Sequence, residues 1–207
     1  MLIEYQVVAR EHSLKIPVGL CRFFGDVREV HSEEEVKVFV EEMRKKYPDA
    51  NHHCWAYRIG VGNEQTFRYS DDGEPSQTAG APILTAIDHL QLTHTCVVVS
   101  RIYGGVNQGV GGLIRAYHST AAAVLEEAGS KTITVYESLL IPCRYDQVGL
   151  VLRELERVSA QVVETVYLEN VTIKAKIRPI DVNQCTARIF DLSKGTIVAQ
   201  REKEVQR

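Results

Sequence analysis

The sequence predicts an α+β protein in two domains, residues 1–135 and 136–207, and three observations carry that expectation. Strand-like and helix-like segments are interspersed through the first 135 residues. A helical pattern there stops at Gly129, and from Thr132 the alternation of elements restarts. The remaining seventy or so residues read β-α-β-β-α-β, the split βαβ order of ferredoxin-like domains.

Taken in order, Leu2 to Val8 is strand-like, and a second strand is expected around residues 16–27. Ser32 with Glu35 three residues later reads as a capping box, and Val36, Phe39, Val40, Met43 and Tyr47 recur at helical spacing until Pro48-Asp49. His52–Ile59 is apolar on both alternating faces, as an interior strand is. A turn with Gly60, Gly62 and Asn63 leads to a short strand, Thr66–Tyr69. Pro82 fits an early helical position, with the helix running on through Leu90. Thr95–Ile102 is a β-branched run suited to a buried strand. A helix from about Gly112 to Ala128 follows, with Gly129 as its left-handed stop.

In the second half, Ile133–Cys143 reads as one long strand or two short ones. Val148, Val151, Leu152, Leu155 and Val158 share a helix face. Gln161–Leu168 and Val171–Ile177 form a hairpin across Glu169-Asn170. Val182, Cys185, Ile189 and Leu192 mark a short helix, and Thr196–Gln200 a last strand.

The composition, 44% hydrophobic and 25% charged, is that of an ordinary soluble globular protein. A net charge of −3 argues against gripping nucleic acid through overall basicity and leaves only a local basic patch. No apolar run approaches the ~18–20 residues that cross a bilayer, so a cytoplasmic location is expected. Cys21, Cys54, Cys96, Cys143 and Cys185 are widely spaced in apolar surroundings with no C-x-x-C pair, the pattern of buried free thiols.

Two stretches carry the chemistry. Arg68-Tyr-Ser-Asp-Asp-Gly-Glu-Pro-Ser-Gln-Thr-Ala-Gly-Ala-Pro82 crowds Asp71, Asp72 and Glu74 around Gly73 and Pro75, and like charges this close need offsetting partners. Arg101-Ile-Tyr-Gly-Gly-Val-Asn-Gln-Gly-Val-Gly-Gly-Leu-Ile-Arg-Ala-Tyr117 supplies two arginines and five glycines, Gly104, Gly105, Gly109, Gly111 and Gly112. A strand ending at Arg101, a glycine loop, and a helix with Arg115 in its first turn make an anion-binding design. The competing reading pairs Arg101 and Arg115 with the carboxylates and leaves the glycines as turn residues. Asp71 and Asp72 also suit Mg²⁺, which prefers oxygen ligands, and Tyr103 and Tyr117 offer faces for base stacking. Neither a Walker loop nor a dinucleotide fingerprint is present. His52, His53 and Cys54 read as packed strand residues, since no zinc spacing accompanies them. No cofactor is expected.

His52-His-Cys-Trp-Ala-Tyr57, Ser70-Asp-Asp-Gly-Glu-Pro75, Thr78-Ala-Gly80, the stretch 101–112 and Gly112-Leu-Ile-Arg-Ala-Tyr117 together resemble the YigZ/IMPACT family (UPF0029), over nearly the whole chain. Four departures stand out: Cys21 where serine is usual, Gln77 for a glycine, Ile102-Tyr103 for an aromatic pair, and Asn107-Gln108 before Gly109. The resemblance implies an S5 domain 2-like first domain and a second domain like the last domain of elongation factor G. Eukaryotic relatives are linked to translational control, so the resemblance implies a regulator meeting RNA or a ribosomal or translation component. Arg101, Arg115 and the carboxylates Asp71, Asp72 and Glu74 are expected to converge on one surface cleft, and a small-molecule enzyme acting on a phosphate-bearing metabolite in that cleft is the alternative.

Overall fold

The computed structural model describes residues 4–105 and 108–202, so the start of the first predicted strand, Val106 and Asn107 of the glycine loop, and residues 203–207 lie outside the described residues. Glu4–Val8 forms β1. His12–Val18 (β2) and Cys21–Glu29 (β3) then form an antiparallel hairpin where one strand over 16–27 was expected. Gly19, at φ +60, opens the two-residue turn that divides them, a conformation glycine adopts without steric cost.

Glu33–Lys46 forms α1. Its cap differs slightly from the expected box: the Ser32 hydroxyl accepts from the Glu35 N–H, but the Glu35 carboxylate accepts from the His31 N–H. His52–Ile59 (β4) and Thr66–Ser70 (β5) pair antiparallel. Gly80–His89 (α2), Thr95–Ile102 (β6) and Gly109–Ala128 (α3) follow, so α3 begins three residues before the predicted start.

These strands make a five-stranded antiparallel sheet in the order β2-β3-β6-β4-β5. In β6 the two faces divide cleanly, as period-2 geometry requires. Val97 and Val99 join the core under α2 and α3, while Cys96 and Val98 join Val36, Phe39, Val40 and Met43 of α1. A strand covered on both sides reads as an unbroken apolar run, which is why Thr95–Ile102 was legible. Ser130–Thr134 (β7) pairs with β1 in a separate two-stranded sheet.

Residues 5–133 form one compact unit, and residues from 134 onward make up most of a second. The second contains Glu137–Cys143 (β8), Val148–Arg157 (α4), Gln161–Tyr167 (β9), Val171–Ile177 (β10), Pro179–Leu192 (α5) and Gln200–Arg201 (β11). Its antiparallel sheet runs β11-β8-β10-β9 around a core that includes Leu139, Ile141, Val151, Leu155, Ile173 and Ile189. The last strand is shorter than expected. Ile197 is buried in the core with its N–H donating to the Ser193 hydroxyl, so only residues 200 and 201 pair with β8. All five cysteines are free and buried. No helix among the described residues is long and apolar enough to cross a membrane.

Candidate functional site

The three carboxylates of the acidic loop turn to three different sets of donors. Asp71 caps α2: one oxygen accepts from the N–H groups of Ala79 (3.0 Å) and Gly80 (2.8 Å), the other from Gln77 (2.8 Å). A carboxylate there satisfies orphan N–H groups and meets the positive end of the helix dipole. Asp72 accepts from the Arg44 guanidinium at 2.7 Å and from the His53 N–H at 2.6 Å. Glu74 is buried, and one of its oxygens accepts from both Arg101 and the Tyr117 hydroxyl, each at 2.7 Å. The Mg²⁺ expectation for Asp71 and Asp72 therefore needs correcting, because each carboxylate is already enclosed by N–H donors. Among the described residues no group of three or more His, Cys, Asp or Glu is arranged to hold a metal ion.

Arg101 is set by register. It sits on β6 between Phe23 of β3 and His52 of β4, with its guanidinium 5.7 Å from the Phe23 ring centre and 5.3 Å from that of Tyr103. It donates to Glu74 and to the Cys21 sulfur at 3.6 Å, which also accepts from the Gly104 N–H at 3.4 Å. The ion-pair reading holds for this arginine. Tyr117 as a stacking platform is likewise corrected: it is fully buried, edge-on to Phe23 at 5.2 Å. Burial and the neighbouring Cys54 thiol push its hydroxyl far above the ordinary phenol range. Burial pushes the Cys54 thiol well up too, so neither group is poised as a nucleophile.

The glycine loop and α3 differ from expectation in one respect that matters. Because the helix starts at Gly109, Arg115 falls in its second turn rather than its first. Arg115 is exposed and has no hydrogen bond or ion pair among the described residues. Gln108 precedes the helix without a side-chain cap, so among the described residues the leading N–H groups of Gly109, Val110, Gly111 and Gly112 have no side-chain acceptor. Gly104 is required by close approach, since a Cβ there would stand 2.1 Å from the Leu20 carbonyl oxygen. Gly105 and Gly109 take positive φ.

Two clefts flank this helix start. The smaller, about 530 Å³, has Asn51, His52, Glu74, Arg101 and Tyr103 in its wall. The larger, about 990 Å³, runs between the β2–β3 hairpin tip and the faces of α2 and α3, and Arg115 belongs to it. Gln108 lines both. The two arginines thus face different clefts that meet at one residue, and Asp71 and Asp72 line neither. The sequence reading missed His52, Asn51 and the hairpin tip as wall residues. Only the pairing of His52 with Arg101 across β4 and β6 brings the first to the site.

The fold and these motifs define a two-part α+β protein with a glycine loop at a helix start. Residues 20–125 match the Impact N-terminal domain, and residues 141–196 match DUF1949, a domain of unknown function. The chain belongs to the IMPACT family. It is 31% identical over 195 residues to the IMPACT family member YvyE of Bacillus subtilis, covering 94% of this chain and 89% of that one. It is 30% identical over 177 residues to YigZ of Escherichia coli K12, covering 85% and 87%. A crystal structure described as that of a hypothetical protein superposes with a TM-score of 0.67 at 27% identity, covering 99% of this chain and 100% of the other.

Proposed function

We propose that the protein is a translation-associated regulator that works by binding, holding a phosphate-bearing ligand, RNA or a ribosomal component, at the start of α3. The observation that carries this reading is the run of N–H groups at Gly109–Gly112, uncapped by any side chain among the described residues, beside Arg115, which has no hydrogen bond or ion pair among them. Helix N-termini of this kind favour phosphate. Tyr103 is exposed beside the same helix start and adds a ring face, worth ~1–3 kcal/mol if a base reaches it. Family membership supports the translational setting, and the same reading takes the two units as S5 domain 2-like and ferredoxin-like.

The experiment is titration of the full chain with a labelled single-stranded RNA. Binding should weaken steeply between about 50 and 200 mM salt, and Arg115→Ala should weaken it further while leaving the melting temperature unchanged. Absence of RNA binding at low salt would end this reading. A phosphate-bearing metabolite is the second reading, favoured by Arg101 Nε, which is buried in the wall of the smaller cleft without a partner among the described residues.

A further inference from the structure

The larger cleft has features that phosphate binding does not call for. Its volume, about 990 Å³, lies at the upper end of the range of small-molecule sites, roughly 300–1,000 Å³. Val18 and Leu20 wall one side, Pro82 another and Ile114 a third. Leu20 is 71% exposed, a large apolar side chain left uncovered at the rim. Among these walls stands one cation, Arg115, without a hydrogen bond or ion pair among the described residues. The Gly111 Cβ position lies 3.4 Å from its Nη1, so the guanidinium lies back toward the first turn of α3.

Gln108 adds a third element. Its Nε2 donates to the Val18 carbonyl at 3.0 Å, which fixes the orientation of the amide. The Oε1 is then buried with no hydrogen-bond donor in reach among the described residues. A buried acceptor of this kind requires a donor to avoid a desolvation penalty.

We propose that this cleft binds a small amphipathic anion, with its apolar body between the hairpin tip and helices α2 and α3 and its anionic head on Arg115. The apolar walls take the body, as area removed from water is the main driving force. The guanidinium selects carboxylate or phosphate, which accept its N–H groups in pairs. A hydroxyl or amide N–H on the ligand meets Gln108 Oε1. The inference does not depend on RNA binding, and it adds a second ligand class to this unit.

The test uses the full chain with defined probes kept below their micelle concentrations: decanoate, decyl phosphate, decyltrimethylammonium and decanol. Calorimetry gives affinities, and methyl NMR reports the site through Val18, Leu20 and Ile114. Decanoate or decyl phosphate should shift those methyls and bind more tightly than the cation or the alcohol, the tighter of the two identifying the head group. Affinity from hexanoate to decanoate should climb by about fourfold per methylene. Arg115→Ala should weaken anion binding roughly ten- to a hundredfold. Thr85→Trp, which narrows the mouth from an exposed position on α2, should weaken it as well with the circular dichroism spectrum unchanged. Equal binding of anion and cation, shifts confined to other methyls, no effect of Arg115→Ala, or no binding of any probe would each overturn the proposal. Loss of RNA binding alone would leave it intact.

Discussion

Glu74 is only 8% exposed and accepts from Arg101 and Tyr117 on one oxygen, so removing it strands a buried guanidinium. Breaking such a pair costs about 3–5 kcal/mol, mostly through the uncompensated charge. Glu74→Ala and Arg101→Ala should each lower unfolding stability by about that amount, whereas Tyr117→Phe, which removes a neutral donor, should cost about 1 kcal/mol. Urea unfolding of the three variants checks the order; equal effects would mean that the ion pair matters no more than the hydroxyl. A second residue-scale prediction concerns His94, which burial and the His31 ring 4.8 Å away hold below its ordinary pKa of 6.5. Burial and the Arg44 charge do the same for His53. The unfolded chain therefore takes up these protons first. Stability is fully present above pH 6.5 and declines as pH falls toward the folded-state values. His94→Asn should flatten part of that decline, because asparagine tolerates the φ of +50 at this position. Thermal melts at about pH 7.5 and about pH 5 read the difference.

Among the elements, α2 depends on a residue that lies eight positions before its cap. Asp71→Ala should cost about 0.5–2 kcal/mol, the range for losing an N-terminal acceptor, while Asp71→Asn keeps an acceptor and should cost less. Hydrogen exchange at the Ala79 and Gly80 amides would report the loss directly. Strands and helices with strong periodicity were legible: β6 as an apolar run, α1 through Val36, Phe39, Val40 and Met43, β10 through alternation. The start of α3 was not, because Gly109, Gly111 and Gly112 have poor helix propensity and read as loop, although packing carries the helix through them. The site was half legible. The two motifs were visible, but whether Arg101 faces solvent or Glu74 depends on strand register, which puts Phe23 and His52 on either side of it. The cleft walls at Val18 and Leu20 were invisible for a related reason, since they reach α3 only through a hairpin that the sequence pattern ran together.

For the whole molecule, residues 135–136 join β7 to β8, and the two cores share no strand. We expect limited proteolysis to cut near this link and leave two folded fragments, each giving its own cooperative melt. Loss of both folds after one cut would show that they form a single cooperative unit. Within the first unit, the contact of Gly104 with the Leu20 carbonyl has a mechanical side. The glycine loop bears on the hairpin tip there, backbone against backbone, and the Gln108 amide ties the same tip to the head of α3. The tip is a jaw of the larger cleft, and the loop borders the smaller one. We expect a guest that wedges one cleft to change the gape of its neighbour, with a coupling between two such guests that is equal in both directions; titrating one guest with and without the other reads it, and an unchanged affinity would show that the two clefts act separately.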